Sequence, residues 1–233
     1  MNNLQLVQRF RQETGYSNTG PSTVTGQLGD HARAVNWIDD AYRELQNRDT
    51  WRWLQERFTL NTVNGTDTYN AAEAISEDTG LAIARFKQWF VTDNYNRPRA
   101  YLQSSGSGSS YWLTYIAWDQ FQAIYKIRNN TDSSPTHITI DPQQNIVLGP
   151  TPNDIYVISS EYQKSAQSLD ADSDIPEMPV DYHMIIVYAA MIDGGYFDAA
   201  EEVIARANIK YRKLLRQLEG NQMPPIRMAG ALA

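Results

Sequence analysis

Three histidines, His31, His137 and His183, are the side chains best suited to hold a metal or move a proton near neutral pH. Their spacing argues against both roles. They stand far apart in different predicted elements, and none is four residues from another, as a helical zinc site requires. Asp170, Asp172 and Asp174 in LDADSDIPEMP have the alternate spacing of the first half of a calcium loop. The glycine and glutamate that complete such a loop are absent, so a solvated loop is the better reading. Asp39 with Asp40 and Glu201 with Glu202 are adjacent carboxylates, the residue type that glycoside hydrolysis uses in pairs. Helix-surface charge accounts for them more simply.

Other chemistry is missing too. There is no G-x-S-x-G, no Walker loop and no G-x-G-x-x-G after a strand. SSGSGSS (104–110) offers glycines without the strand–loop–helix context of a phosphate cradle. With no cysteine, there is neither a disulfide framework nor a thiolate. Arg206, Lys210, Arg212, Lys213 and Arg216 invite a nucleic-acid reading. They follow Asp198, Glu201 and Glu202, so acids and bases sort along the helix dipole and need no ligand. The net charge is −7 and no segment is strongly basic, which excludes tight electrostatic binding of duplex DNA. The expectation is a non-enzyme with no catalytic residue, metal or cofactor.

The elements around these residues have two periods. Leu6, Val7 and Phe10 put an apolar face on a short helix ending at Gly15. Asp30 is a fair N-cap for a second helix whose Ala34, Val35, Ile38, Ala41, Tyr42 and Leu45 recur at three- and four-residue spacing. FTLNTVNGTDTYN reads as strand, Asn-Gly turn, strand, and HITIDPQQNIVLGPTPNDIYVISSEYQ as three strands of a half-exposed antiparallel sheet. RPRAYLQ is strand-like, and Trp118 to Ile127 suits a short helix. Trp112 and Trp118 flank a strand of buried character. Pro176 and Pro179 then stop the sheet and preset a helix. Met184 to Ile192 is apolar nearly all round, so that helix must be buried on most sides. Gly194-Gly195 is expected to end it, and a last amphipathic helix runs to Gly220.

A hairpin cannot surround an all-apolar helix, so the helices at 3–13 and 31–48 are its remaining partners. The expected class is α+β. A helical bundle from both chain ends (1–57 and 176–220) carries an inserted antiparallel β-rich domain (58–175). The insertion holds a flexible Ser/Gly loop at 104–110, and 221–233, which Pro224-Pro225 keep from continuing the helix, is a frayed terminus or an extended arm that docks on another chain. The bundle core is expected to include Ile38, Leu45, Ile185, Tyr188, Ile204, Tyr211 and Leu215. No window is long and apolar enough for a membrane span, and MNNLQLVQRFRQETG lacks the pattern of a secretory signal; synthesis in a cytosol fits best.

In serial order, DTWRWLQERFTLNT, YIAWDQFQAIY, the strand–Pro–strand block IVLGPTPNDIYVISSEYQ, DIPEMP and the Tyr-containing hairpin YHMIIVYAAM…GGYFDAAEEVIARANIKYRKLLRQL resemble the head-to-tail adaptor (connector) proteins of tailed bacteriophages. The resemblance covers nearly the whole chain. It implies a structural virion protein at the head–tail junction, forming a ring, commonly of twelve copies, below the portal protein. Such a ring extends the DNA channel, passes double-stranded DNA without specific binding and offers a platform to tail or nozzle proteins. By the same resemblance, the arm carrying Met223, Pro224, Pro225, Ile226, Arg227, Met228 and Leu232 docks on the portal. The alternative from the residues alone is a carbohydrate-binding or cell-wall glycan-cleaving protein using sheet aromatics and a carboxylate pair.

Overall fold

The computed structural model describes residues 1–15, 20–91, 97–127 and 131–223. It is mixed α+β, with antiparallel pairing dominating two sheets. The chain divides into two compact units, residues 1–54 with 166–233, and residues 55–165. Each has its own buried apolar cluster.

The first unit contains α1 (Asn3–Thr14), α2 (Gly29–Arg48), α4 (Met184–Phe197) and α5 (Glu201–Gln222). Helix α1 starts in a capping box: the Asn2 side chain accepts from the Gln5 N–H, and Gln5 accepts from the Asn2 N–H. It ends at Gly15, whose φ of 82° provides the left-handed C-cap. Asp30 is not the cap of α2: the helix begins one residue earlier, after Leu28, and Asp30 lies in its first turn, paired with Arg33. Helix α4 is buried around most of its circumference, through Ile185, Ile186, Val187, Tyr188, Ala190 and Met191. It packs against α1, α2 and α5.

Gly194 and Gly195 do not terminate α4, which runs through both to Phe197. These helical positions are glycine because neighbours come too close for a side chain. A Cβ on Gly195 would stand 2.6 Å from the Ile204 side chain, and one on Gly194 would stand 3.0 Å from the Phe10 ring. The reversal falls instead at Asp198–Ala200, where Ala199 takes φ 52°. Helix α5 also passes its expected end at Gly220, reaching Gln222.

Residues 166–175, expected in the insertion, group with the helices. Buried Asn3 donates to the Leu169 carbonyl at 2.8 Å, and its own N–H donates to the Asp174 carbonyl. Gln46 exchanges bonds with Gln167 in both directions, donating to its carbonyl at 3.0 Å and accepting from its N–H at 2.8 Å. A polar run is thus tied down by side-chain amides, which composition alone does not reveal.

Among the described residues, the second unit holds α3 (Trp118–Phe121) and ten strands: β1 (Gln55–Asn61), β2 (Thr68–Tyr69), β3 (Ile75–Ser76), β4 (Gln88–Phe90), β5 (Arg99–Leu102), β6 (Tyr111–Trp112), β7 (Thr114–Tyr115), β8 (His137–Ile140), β9 (Ile146–Gly149) and β10 (Tyr156–Gln163). One sheet has the order β3-β1-β10-β5-β6, with β4 also on β10; the other has the order β2-β9-β8-β7. The pair β7–β8 is parallel.

The Asn-Gly turn forms, with Thr66 N–H on the Val63 carbonyl and Gly65 at φ 77°, but β1 and β2 are not a hairpin. They join different sheets, and the Tyr69 hydroxyl clamps the turn by donating to the Thr66 carbonyl at 2.6 Å. The three later strands stand where the sequence places them. Asp141 organises the β8–β9 turn: its carboxylate accepts from the N–H groups of Gln143 and Asn145 and from the Asn145 side chain. The Ser/Gly stretch forms two exposed 3-10 turns, Gln103–Ser105 and Ser107–Ser109.

Candidate assembly surfaces

The expected core residues fall into two sets. Ile38, Leu45, Ile185, Tyr188 and Leu215 are buried in the helical unit's cluster. Tyr211 is half-buried against that cluster, and Ile204 is half-buried over Gly195. Of the expected arm, Met223 alone is described; it packs partly buried against the cluster, and its N–H donates to the Glu219 carbonyl. Pro224, Pro225, Ile226, Arg227, Met228 and Leu232 lie outside the described residues.

The candidate chemical groups are engaged in holding the fold. His183 is buried, with Nε2 3.1 Å from the Met178 carbonyl and Nδ1 2.7 Å from the Met1 nitrogen. Burial, above all, lowers its pKa from the usual 6.5. His137 Nδ1 meets the Tyr125 hydroxyl at 2.7 Å. Asp172 accepts from the Val24 N–H and the Thr23 hydroxyl, and Asp174 accepts from the N–H groups of Asp170 and Ala171. These carboxylates cap loop nitrogens. Asp39 is more than surface charge, since it accepts from the Leu169 N–H at 2.8 Å. Arg206 donates to the Glu13 carbonyl and Lys210 lies 3.7 Å from the Glu13 carboxylate, so two of the α5 bases serve the end of α1.

The sheet unit contains a polar cluster that the sequence did not single out. Tyr162 donates to Glu56 at 2.6 Å, Ser76 donates to the same oxygen at 3.0 Å, and Lys164 lies 3.0 Å from the other. Burial alone would raise the Glu56 pKa. Donation from Tyr162, with the bond and charge of Lys164 and the bond from Ser76, outweighs it and holds the carboxyl below its ordinary value. The Tyr162 hydroxyl is pushed up, first by burial and then by Glu56. A tyrosine held neutral beside an ionised carboxylate is a cross-strand brace.

Two of the open surfaces among the described residues combine aromatic and charged side chains. In the helical unit, Tyr196 and Phe197 end α4 at 68% and 59% exposure. Phe197 meets Trp37 at 5.7 Å and lies under the Arg33 guanidinium. In the sheet unit, a groove of about 260 Å³ is lined by Arg57, Arg97, Arg99, Trp112, Ser159 and Glu161. Pairing register assembles it: Ser159 faces Arg99, Arg99 faces Trp112, and Arg57 faces Glu161. Trp112 is therefore not beside a buried strand; it is half-exposed, with the Arg99 guanidinium 4.1 Å above its ring. The i, i+2 spacing of Arg97 and Arg99 is the available local signal, since both line the groove, Arg99 from the start of β5 and Arg97 from the residues just before it.

Among the described residues, no group of three or more His, Asp or Glu side chains gathers as a metal site. No described helix is long and apolar enough to cross a membrane. No curated protein gives a significant match to the chain. The family model of the SU10 adaptor protein matches residues 1–229, and so runs through both units. The chain belongs to the SU10 adaptor protein family and is a bacteriophage structural adaptor.

Proposed function

We propose that this protein closes a ring, of about twelve copies by the resemblance, between the phage portal and the tail. The carrying observation is that the family match spans residues 1–229 of 233 and so takes in both the helical and the sheet unit. In this reading the helical unit, made from both chain ends, is the rigid bundle of each subunit. The residues after Met223 leave it as the arm that docks on the portal. Met223 packed on the helical core supports that role, because it anchors the root of the arm. Tail or nozzle proteins bind the assembled ring. An acidic surface suits a lumen that passes DNA without holding it.

Assembly depends on the template: the chain is monomeric alone and forms a ring on portal, where binding stabilises contacts too weak to persist otherwise. Mixing purified chain with its cognate portal and imaging the product tests this. A closed ring on portal is the expected result, and failure to bind portal overturns the reading. Removing residues 224–233 is expected to abolish docking and leave the circular dichroism spectrum unchanged; unaltered docking rejects the arm.

A further inference from the structure

We infer that the Arg97–Arg99 groove of the sheet unit receives carboxylates of a second copy of this chain, those of Asp40, Glu44 and Asp193. The inference rests on the ring reading above and names the charge contact that holds neighbours together.

The groove has the chemistry of a carboxylate receptor. Arg97 and Arg99 are exposed, and no ion pair engages either among the described residues. Stacking on Trp112 fixes the plane of the Arg99 guanidinium and leaves its N–H edge for a ligand. Arg57 lies 3.5 Å from Glu77 with its side chain 60% exposed, so its donors are only partly engaged. The charge is limited, because Glu161 sits in the same lining. Three arginines opposed by one lining glutamate leave a small positive excess, which suits a compact cluster of a few carboxylates. They do not suit a duplex backbone, which needs a longer run of cations.

The complementary surface stands on the helical unit. Asp40 and Glu44 are four residues apart on α2, on the same side of the helix, and Asp193 comes from α4, which packs on α2. All three are exposed, and none has an ion-pair partner among the described residues. Partial desolvation of its carboxyl first, and then the charges of Glu44 and Asp40, raise the Asp193 pKa although the residue is exposed overall. A guanidinium from a neighbouring copy relieves that repulsion. A subunit of net charge −7 is repelled by its copies, so adjacent subunits gain from such a local inversion of sign.

Charge reversal in a portal-templated assembly decides the matter. Arg97→Glu with Arg99→Glu is expected to lower the assembled fraction on the order of tenfold or more, with an unchanged melting temperature. Asp40→Lys with Asp193→Lys is expected to do the same. Equimolar mixing of the two variants, which pairs reversed groove with reversed cluster at only some contacts, is expected to restore part of the loss; the quadruple variant should restore most of it. Rings from the Arg97/Arg99 variant that equal wild type overturn the inference and leave the ring reading standing. Absence of wild-type rings overturns both. Loss of portal binding by a groove variant that the quadruple variant fails to restore assigns the groove to the portal and also rejects the inference. So does duplex DNA binding by wild type that the groove variant loses. The chain has no cysteine, so Arg97→Cys with Glu44→Cys adds a direct readout: an interchain disulfide ladder in assembled rings.

Discussion

The helical and sheet units hold themselves together differently. In the helical unit one helix supplies the centre: α4 turns apolar side chains in nearly every direction, and α1, α2 and α5 cover it. The sheet unit has no such element. Several of its strands are two residues long, and polar braces supplement its apolar core: Tyr162 on Glu56, Asp141 in the β8–β9 turn, Tyr69 over the Val63–Thr66 turn. Burial is non-directional and tolerates modest repacking. Hydrogen-bonded braces are directional, and breaking one leaves polar groups unpaired. The first unit is therefore sensitive to volume and the second to single polar atoms.

The largest test of this contrast is Ile186→Ala, at a fully buried position of α4, expected to cost about 2–5 kcal/mol. Hydrogen exchange should show protection lost in α1, α2, α4 and α5 before β10. A uniform loss across both units would break the comparison. Next comes Gly195→Ala, expected to cost about 1–3 kcal/mol because its methyl must displace the Ile204 side chain. Ile204→Ala in the same chain should recover part of that cost, measured as a coupling in denaturant unfolding.

Asp141→Ala is the counterpart in the sheet unit. It removes the acceptor of three hydrogen bonds and is expected to cost about 1–3 kcal/mol, with exchange rising at Gln143 and Asn145. The smallest effect is a pH dependence. Burial holds the folded His183 pKa below its unfolded 6.5, so between those two values the unfolded chain binds the proton more readily. Stability is thus full above about pH 6.5 and falls as pH drops toward the folded pKa. Melting curves for wild type should show that loss, and His183→Asn should flatten it.

Much of the fold was legible in the chain. Apolar spacing at three and four residues located α1, α2 and α5, because a helix face must be continuous to be buried. The Pro-punctuated block located β8, β9 and β10. The double glycine looks like a helix stop in the sequence, while its actual role, close approach of Ile204 and Phe10 to α4, depends on how the helices pack. The polar segment at 166–175 was assigned by composition. It belongs with the helices because Asn3, Asp39 and Gln46 bond its backbone.

The surfaces were less legible still. Arg57, the Arg97/Arg99 pair and Trp112 come from three places in the chain, and no longer window around them is strongly basic. Sequence alone determined the class of elements, the need to cover an apolar helix and the lack of local catalytic motifs, since those follow from composition and local period. Only the tertiary structure decided which carboxylates cap loops, which glycines are spaces for neighbours, and that Arg57 and Arg99 share one sheet face, because strand register relates residues that the chain keeps far apart.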